Sequence, residues 1–196
     1  MRKILVGLLS CVSLMAAASS AYAGEPSPST KHPISVAVLG GYAINNALDS
    51  HTNDSLNLYG VGFGVRAGYT LPMKLYLGAM FQYNLGGTWR YDPNTEYTGR
   101  VMTPGAEIGF DIDAGRFTVR PSLGLGAGIA RGDLNLNDKG DSFNFAIWPG
   151  MQLLWNTTDQ IYLGTEIRYT FIFTKDGTGD GNANAFGGYA VVGYRF

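Results

Sequence analysis

The chain is poor in the residues that carry most enzymatic and metal chemistry. It has one cysteine, Cys11, and two histidines, His32 and His51. A single thiol excludes an internal disulfide framework and a thiolate metal centre. No phosphate loop, zinc spacing or dinucleotide fingerprint occurs, so no cofactor is expected. Basic residues number 14 against 15 acidic ones, which leaves no electrostatic footprint for nucleic acid. The one long apolar run, Ile4 to Ala18, is rich in small residues and too short for a comfortable membrane helix. What the chain has in excess is glycine, 28 residues. That is about twice the ~7% norm, and it comes with 13% aromatics.

The apolar run reads as an export signal. Met1-Arg2-Lys3 is a positive n-region, Ile4 to Ala18 an h-region, and Ala21-Tyr22-Ala23 a small-x-small cleavage site. Leu8-Leu9-Ser10-Cys11 loosely matches a lipoprotein signal, but it would leave an h-region of about six residues, below the usual ~7–15. Cleavage after Ala23 fits better. Losing Arg2 and Lys3 takes the 14 basic residues to 12 against 15 acidic, a net charge of −3. Three segments follow: a signal peptide (1–23), an extended Pro/Ser-rich periplasmic lead-in (24–33) and one domain (34–196).

The domain alternates with a period of two, which predicts strands. Ile34, Val36, Val38, Gly40, Tyr42 and Ile44 share one face of the first. Tyr59, Val61, Phe63, Val65, Ala67 and Tyr69 share one face of the second. Six more segments repeat the pattern near 75–85, 105–112, 117–129, 143–155, 162–173 and 187–196. Connections near 70–74, 113–116 and 156–160 are short, and those near 45–57, 86–97, 131–142 and 174–185 are longer and polar. Eight strands with alternating short and long connections predict an all-β fold, an eight-stranded antiparallel up-and-down transmembrane β-barrel with both termini in the periplasm. Pro104, Pro121 and Pro149 fall inside strands and predict bulges or register breaks. Tyr42, Tyr69, Tyr83, Trp89, Tyr91, Trp155, Tyr169, Phe171 and Tyr194 are candidates for interfacial girdles.

A soluble lipocalin-like barrel shares this strand count, and the two faces separate the alternatives. One face is bulky and nearly uncharged, which suits lipid. The other is mostly glycine with a few charges, which does not make a greasy ligand cavity. The inward charges are Arg66, Glu107, Asp111, Arg120, Glu166, Arg168 and Arg195. An eight-stranded barrel is just wide enough for side chains to fill, and buried charges must pair. Glu107 and Glu166 are therefore expected between Arg66, Arg120 and Arg168, as a plug. A narrow gate or proton relay is the functional alternative.

The chain ends on Val192, Tyr194 and Phe196 at alternate positions, which resembles the C-terminal insertion signal of bacterial outer-membrane proteins. With the signal peptide, eight alternating segments and the inward Glu/Arg set, residues 34–196 resemble the small outer-membrane barrels of the OmpA/OmpX-like and OmpW-like group. The resemblance implies a bacterial outer-membrane location and a monomer in contact with outer-membrane lipid and lipopolysaccharide. It also implies recognition by the barrel insertion machinery and a role carried by the outer loops. Members of the OmpW group imply a second role, narrow transport of small or hydrophobic molecules.

Some barrels of this size modify lipid A. Such a site needs His, Ser and an acid at the outer rim. His32 lies in the lead-in; His51 has Asp49, Ser50, Asp54 and Ser55 beside it, with Asp92 in the next loop. Polar loops hold such residues by chance, so no catalytic role is expected. Asp176 to Asn182 alternates oxygen ligands like part of a calcium loop, but Gly187 stands where a bidentate Glu is needed. A flexible polar loop is the simpler reading.

Overall fold

The computed structural model describes residues 27–45, 59–92, 95–133, 141–173 and 184–196. Nine strands form one sheet: β1 (Ile34–Asn45), β2 (Gly60–Thr70), β3 (Leu75–Asp92), β4 (Thr95–Phe110), β5 (Ile112–Ala114), β6 (Phe117–Asp133), β7 (Asp141–Asn156), β8 (Ile161–Phe173) and β9 (Ala185–Arg195). Strand β5 continues β4 past Asp111, and both pair with β6. The ring therefore has eight staves. It runs β4-β3-β2-β1-β9-β8-β7-β6, every neighbour antiparallel, and the β4–β6 ladder closes it. Closure leaves no unpaired edge. Among the described residues no helix is long and apolar enough to cross a membrane.

The alternation of the sequence sets the faces. In β1, Ile34, Val36, Val38, Tyr42 and Ile44 point out, while Ser35, Ala37, Leu39 and Ala43 are buried. The last strand alternates without exception, with Val192, Tyr194 and Phe196 outward and Val191 and Arg195 inward. Large apolar side chains cover the outside of every stave, and the charged side chains Arg66, Glu107, Asp111, Arg120, Glu166, Arg168 and Arg195 lie inside among aromatic and polar ones. That is the inverse of a water-soluble barrel. Tyr69, Phe117, Trp155 and Phe196 are exposed at the end with the short turns; Tyr42, Phe145, Phe173 and Phe186 are exposed at the other.

One residue breaks parity. Tyr59 was expected on the outward face of β2, but it is buried. Gly60 has φ +53°, a conformation that glycine adopts without steric cost. It turns the chain so that Tyr59 and Gly60 both face inward.

The prolines do not produce bulges. Each interrupts one ladder and leaves the register unchanged. The β4–β6 pairs run to Met102↔Ile129 and resume at Gly105↔Gly126, skipping Pro104. The β7–β8 pairs skip Trp148 and Pro149. The β6 ladder toward β4 and β5 stops at Gly109↔Ser122 and resumes at Ile112↔Val119, while its other ladder passes through Pro121↔Met151 without a break. A proline lacks only its N–H, so it costs bonding on the single side where that group would point. Pro121 thereby splits the fourth stave at Asp111.

Two further expectations change. Segment 86–97 is mostly strand: β3 and β4 continue as a hairpin to Asp92↔Thr95, past irregularities between Leu85 and Thr88 and between Arg90 and Asp92. Part of the lead-in is a single helical turn, α1 (Pro28–Lys31), and not extended. Thr30 and Lys31 donate backbone bonds to the Ser27 carbonyl at 3.0 Å, and proline is suited to the first helical turn. Lys31 reaches Asp159, in the turn between β7 and β8, at 3.6 Å. The signal segment, His51 with its neighbours, and Asp176 to Asn182 lie outside the described residues.

Candidate functional site in the barrel lumen

Glycine makes the lumen. A side chain at many inward glycines would collide with a large residue from the same strand or from one or two strands away. Tyr76 lies across Gly68 and Gly78, Trp148 across Gly105 and Gly124, and Tyr189 across Gly41 and Gly187. Tyr162 covers Gly193 and Ile172 covers Gly128. Each bulky residue takes the volume that its neighbours give up. Among these residues Tyr76, Trp148 and Ile172 are at most 1% exposed. The excess of glycine is thus the complement of a few long inward side chains.

Two tiers of charge sit in this packing. In the middle of the barrel, Glu107 on β4 accepts from Arg66 on β2, at 2.5 Å from Nε and 3.1 Å from Nη2. Arg66 Nη2 also donates to Glu166 on β8 at 2.7 Å. Glu166 in turn lies 2.9 Å from Arg168 Nε. Trp148 Nε1 donates to Glu107 at 3.1 Å, and Arg168 Nη1 reaches Met80 Sδ at 2.9 Å. Two cations and two anions therefore span the lumen between β2, β4 and β8, all fully buried. Arg168 also lies over the Tyr189 ring, 4.8 Å from its centroid.

Nearer the short turns, Arg120 holds Asp111 bidentately at 2.5 and 3.0 Å. It stacks on Tyr76 at 3.8 Å. The expectation that Arg120 would bracket the glutamates is therefore corrected. Asp111 stands opposite Arg120 across the gap left by Pro121, whereas Glu166 is two strands away through Gln152. Strands lie ~4.8 Å apart, so the adjacent carboxylate wins. Arg195 packs over Tyr162 at 4.4 Å, and its two Nη atoms make no hydrogen bond. Thr118 donates to Asp113 at 2.8 Å and accepts from Asn156 at 3.0 Å.

Sequence reasoning missed Trp148, which is buried at the centre of the lumen and caps Glu107. Its inward parity follows from its place between Ala146 and Gly150, and the adjacent Pro149 obscured it. Gln82, Asn84 and Gln152 were on the inward faces but were given no role. All three are buried, and both amide atoms of Gln82 are unpartnered. No cluster of three or more metal-ligating side chains occurs among the described residues.

The whole architecture has counterparts of known structure. The chain matches Neisserial surface protein A over 83% of its length and 97% of that protein, with a TM-score of 0.56 and 19% identity. It matches Ail, the attachment invasion locus protein of Yersinia pestis, over 84% and 97%, at 0.52 and 14%. The complex of Ail with the heparin analogue sucrose octasulfate matches over 84% and 99%, at 0.53 and 13%. These likenesses concern the fold. No curated protein matches the sequence. The family model for the outer membrane protein beta-barrel domain matches residues 5–196. The chain belongs to that family and is a protein of the bacterial outer membrane.

Proposed function

We propose that this protein is a non-enzymatic, monomeric scaffold of the outer membrane with a plugged lumen, and that its outer loops carry its binding function. The observation that carries this reading is the middle tier. Arg66, Glu107, Glu166 and Arg168 join strands on opposite sides of the ring, and Trp148 lies against them. An open pore would leave such charges hydrated; here each is at most 4% exposed. The scaffold meets outer-membrane lipid and lipopolysaccharide on its apolar face. It is delivered by the barrel insertion machinery through Val192, Tyr194 and Phe196.

The loop sequences narrow the partner. Outside the described residues they carry Asp49, Asp54, Asp138, Asp176 and Asp180 against Lys139 and Lys175. Ail has been captured with a sulfated heparin analogue, but an acidic surface of this kind disfavours polyanions. The loops here fit a neutral or cationic partner.

Single-channel conductance of the refolded, cleaved protein in planar bilayers tests the plug, with an Arg120→Ala variant alongside. Silence from both supports the scaffold. Defined channels, altered by the variant, would replace it with a conduction or gating role for the inward charges.

A further inference from the structure

The lipid-facing surface is not uniformly bulky. A groove of about 750 Å³ runs across β9, β1, β2 and β3 in the half of the barrel nearer the short turns. Its floor is a row of small residues in register, Val36↔Ala67↔Ala79. Val38↔Val65↔Phe81 wall it on the side away from the short turns, and the next outward row toward those turns, beyond the lining, is the larger Ile34↔Tyr69↔Leu77. At its β9 end, Tyr194 and Ile161 complete the wall. Its volume lies within the ~300–1,000 Å³ of sites that hold a small molecule, and its lining is almost wholly apolar.

Below that end lies a charged rim. Lys31 and Asp159 meet at 3.6 Å, both well exposed. Asp159 is two residues before Ile161. Lys31 precedes β1, so the pair spans the end of β9, where Phe196 donates its backbone N–H to Ile34 O at 2.8 Å. One exposed ammonium and one exposed carboxylate, side by side at the membrane edge, match a headgroup that itself carries a phosphate and an ammonium.

We propose that this groove holds one acyl chain of a zwitterionic phospholipid of the periplasmic leaflet, with its phosphate at Lys31 and its ammonium at Asp159. The proposal rests on the membrane placement of the barrel and is independent of whether the lumen conducts. Apolar contact alone does not favour the groove, because the surrounding lipid tails are equally apolar. Shape supplies the packing and the rim supplies the selectivity. An anionic phospholipid such as phosphatidylglycerol would satisfy Lys31 with its phosphate but would bring only hydroxyls to Asp159, leaving that carboxylate without a counter-charge.

Native mass spectrometry of the full cleaved chain, released from nanodiscs of equal phosphatidylethanolamine and phosphatidylglycerol, tests this. Wild type should retain a single phosphatidylethanolamine. An Ala67→Phe/Ala79→Phe variant, which fills the floor with outward apolar groups, should retain none. Its fold is checked by its heat-dependent electrophoretic mobility. A Lys31→Ala/Asp159→Ala variant leaves the barrel wall untouched and should retain lipid without headgroup preference. Equal retention by wild type and the filled variant would overturn the groove. Retained phosphatidylglycerol in wild type, or an undiminished preference in the rim variant, would overturn the headgroup assignment. The conductance experiment is unaffected by any of these results, so failure of the groove and failure of the plug are distinguishable.

Discussion

Replacing Glu107 with leucine probes the middle tier most directly. The carboxylate accepts two bonds from Arg66 and one from Trp148. Without it, Arg66 and Arg168 share the single anion Glu166, and one buried positive charge is left over. Breaking a buried ion pair in this way costs about 3–5 kcal/mol. With a urea slope of about 2 kcal/mol per M, the unfolding midpoint in phospholipid vesicles should fall by roughly 2 M. The double variant Glu107→Leu/Arg66→Met separates charge imbalance from lost volume. It restores a one-to-one ratio of Arg168 to Glu166 and replaces the pair by apolar groups, an exchange that is often neutral or stabilising. What remains is the lost acceptor of Trp148 Nε1, worth about 1–3 kcal/mol. The double variant should therefore recover about half of the lost stability. Unfolding followed by tryptophan emission and by gel mobility reads both variants. A double variant as unstable as the single one would refute the argument from pairing.

The glycine–aromatic interlock predicts a contrast within one residue type. Gly124→Ala drives a methyl group into the Trp148 ring and should cost about 1–3 kcal/mol. Gly40→Ala points outward with nothing within 4 Å and should change stability by about 0.5 kcal/mol or less; equal effects in urea titrations would sink the interlock. Arg120→Ala strands Asp111, which is fully buried, and should lower stability by about 3–5 kcal/mol, whereas Arg120→Ala/Asp111→Ala should recover much of it in the same titration. Phe196→Ala removes an edge-on contact with Tyr194, whose ring centroid lies 4.9 Å away. It should slow assembly in cells, measured by pulse–chase protease protection, while spontaneous refolding into vesicles stays near wild type. Matching defects in both assays would make the residue a packing element and not part of an insertion signal.

The faces of the strands were legible because they depend on nothing but local alternation. Among the described side chains the expected outward residues are outward in every stave, apart from Tyr59, where a single backbone torsion at Gly60 intervenes. Lumen partners are a different kind of quantity. They depend on how far each strand is displaced along its neighbour, and alternation is blind to any slip of two residues. Arg66 and Arg168 do flank Glu107 and Glu166 as expected, but Arg120 was placed with the wrong carboxylate. Trp148 was missed for another reason. A proline inside a strand reads as a disruption, while in the fold Pro149 gives up bonding on one side only and leaves the parity of its neighbours intact.

The mispairing of Arg120 shows where the missing information lay. The segment 113–116 was read as a four-residue connection. The chain instead turns through two residues, Gly115 and Arg116, with Ala114 opposite Phe117. Gly115 has φ +64°, the conformation that the first position of a tight hairpin turn requires and glycine supplies. Counting outward from that centre sets Asp113 against Thr118 and Ile112 against Val119, and the next position sets Asp111 against Arg120. Centring the turn on a longer loop slips the register and sends Arg120 in search of a more distant carboxylate. One glycine torsion at a turn thus decides which anion neutralises a buried cation several residues away. The lower tier is bound to that turn as firmly as to its own side chains. Lengthening the turn by two residues should preserve every face of β6 and still separate Arg120 from Asp111. The loss of stability should then match that of Arg120→Ala, and an undiminished urea midpoint would show that the pair is held by something other than register.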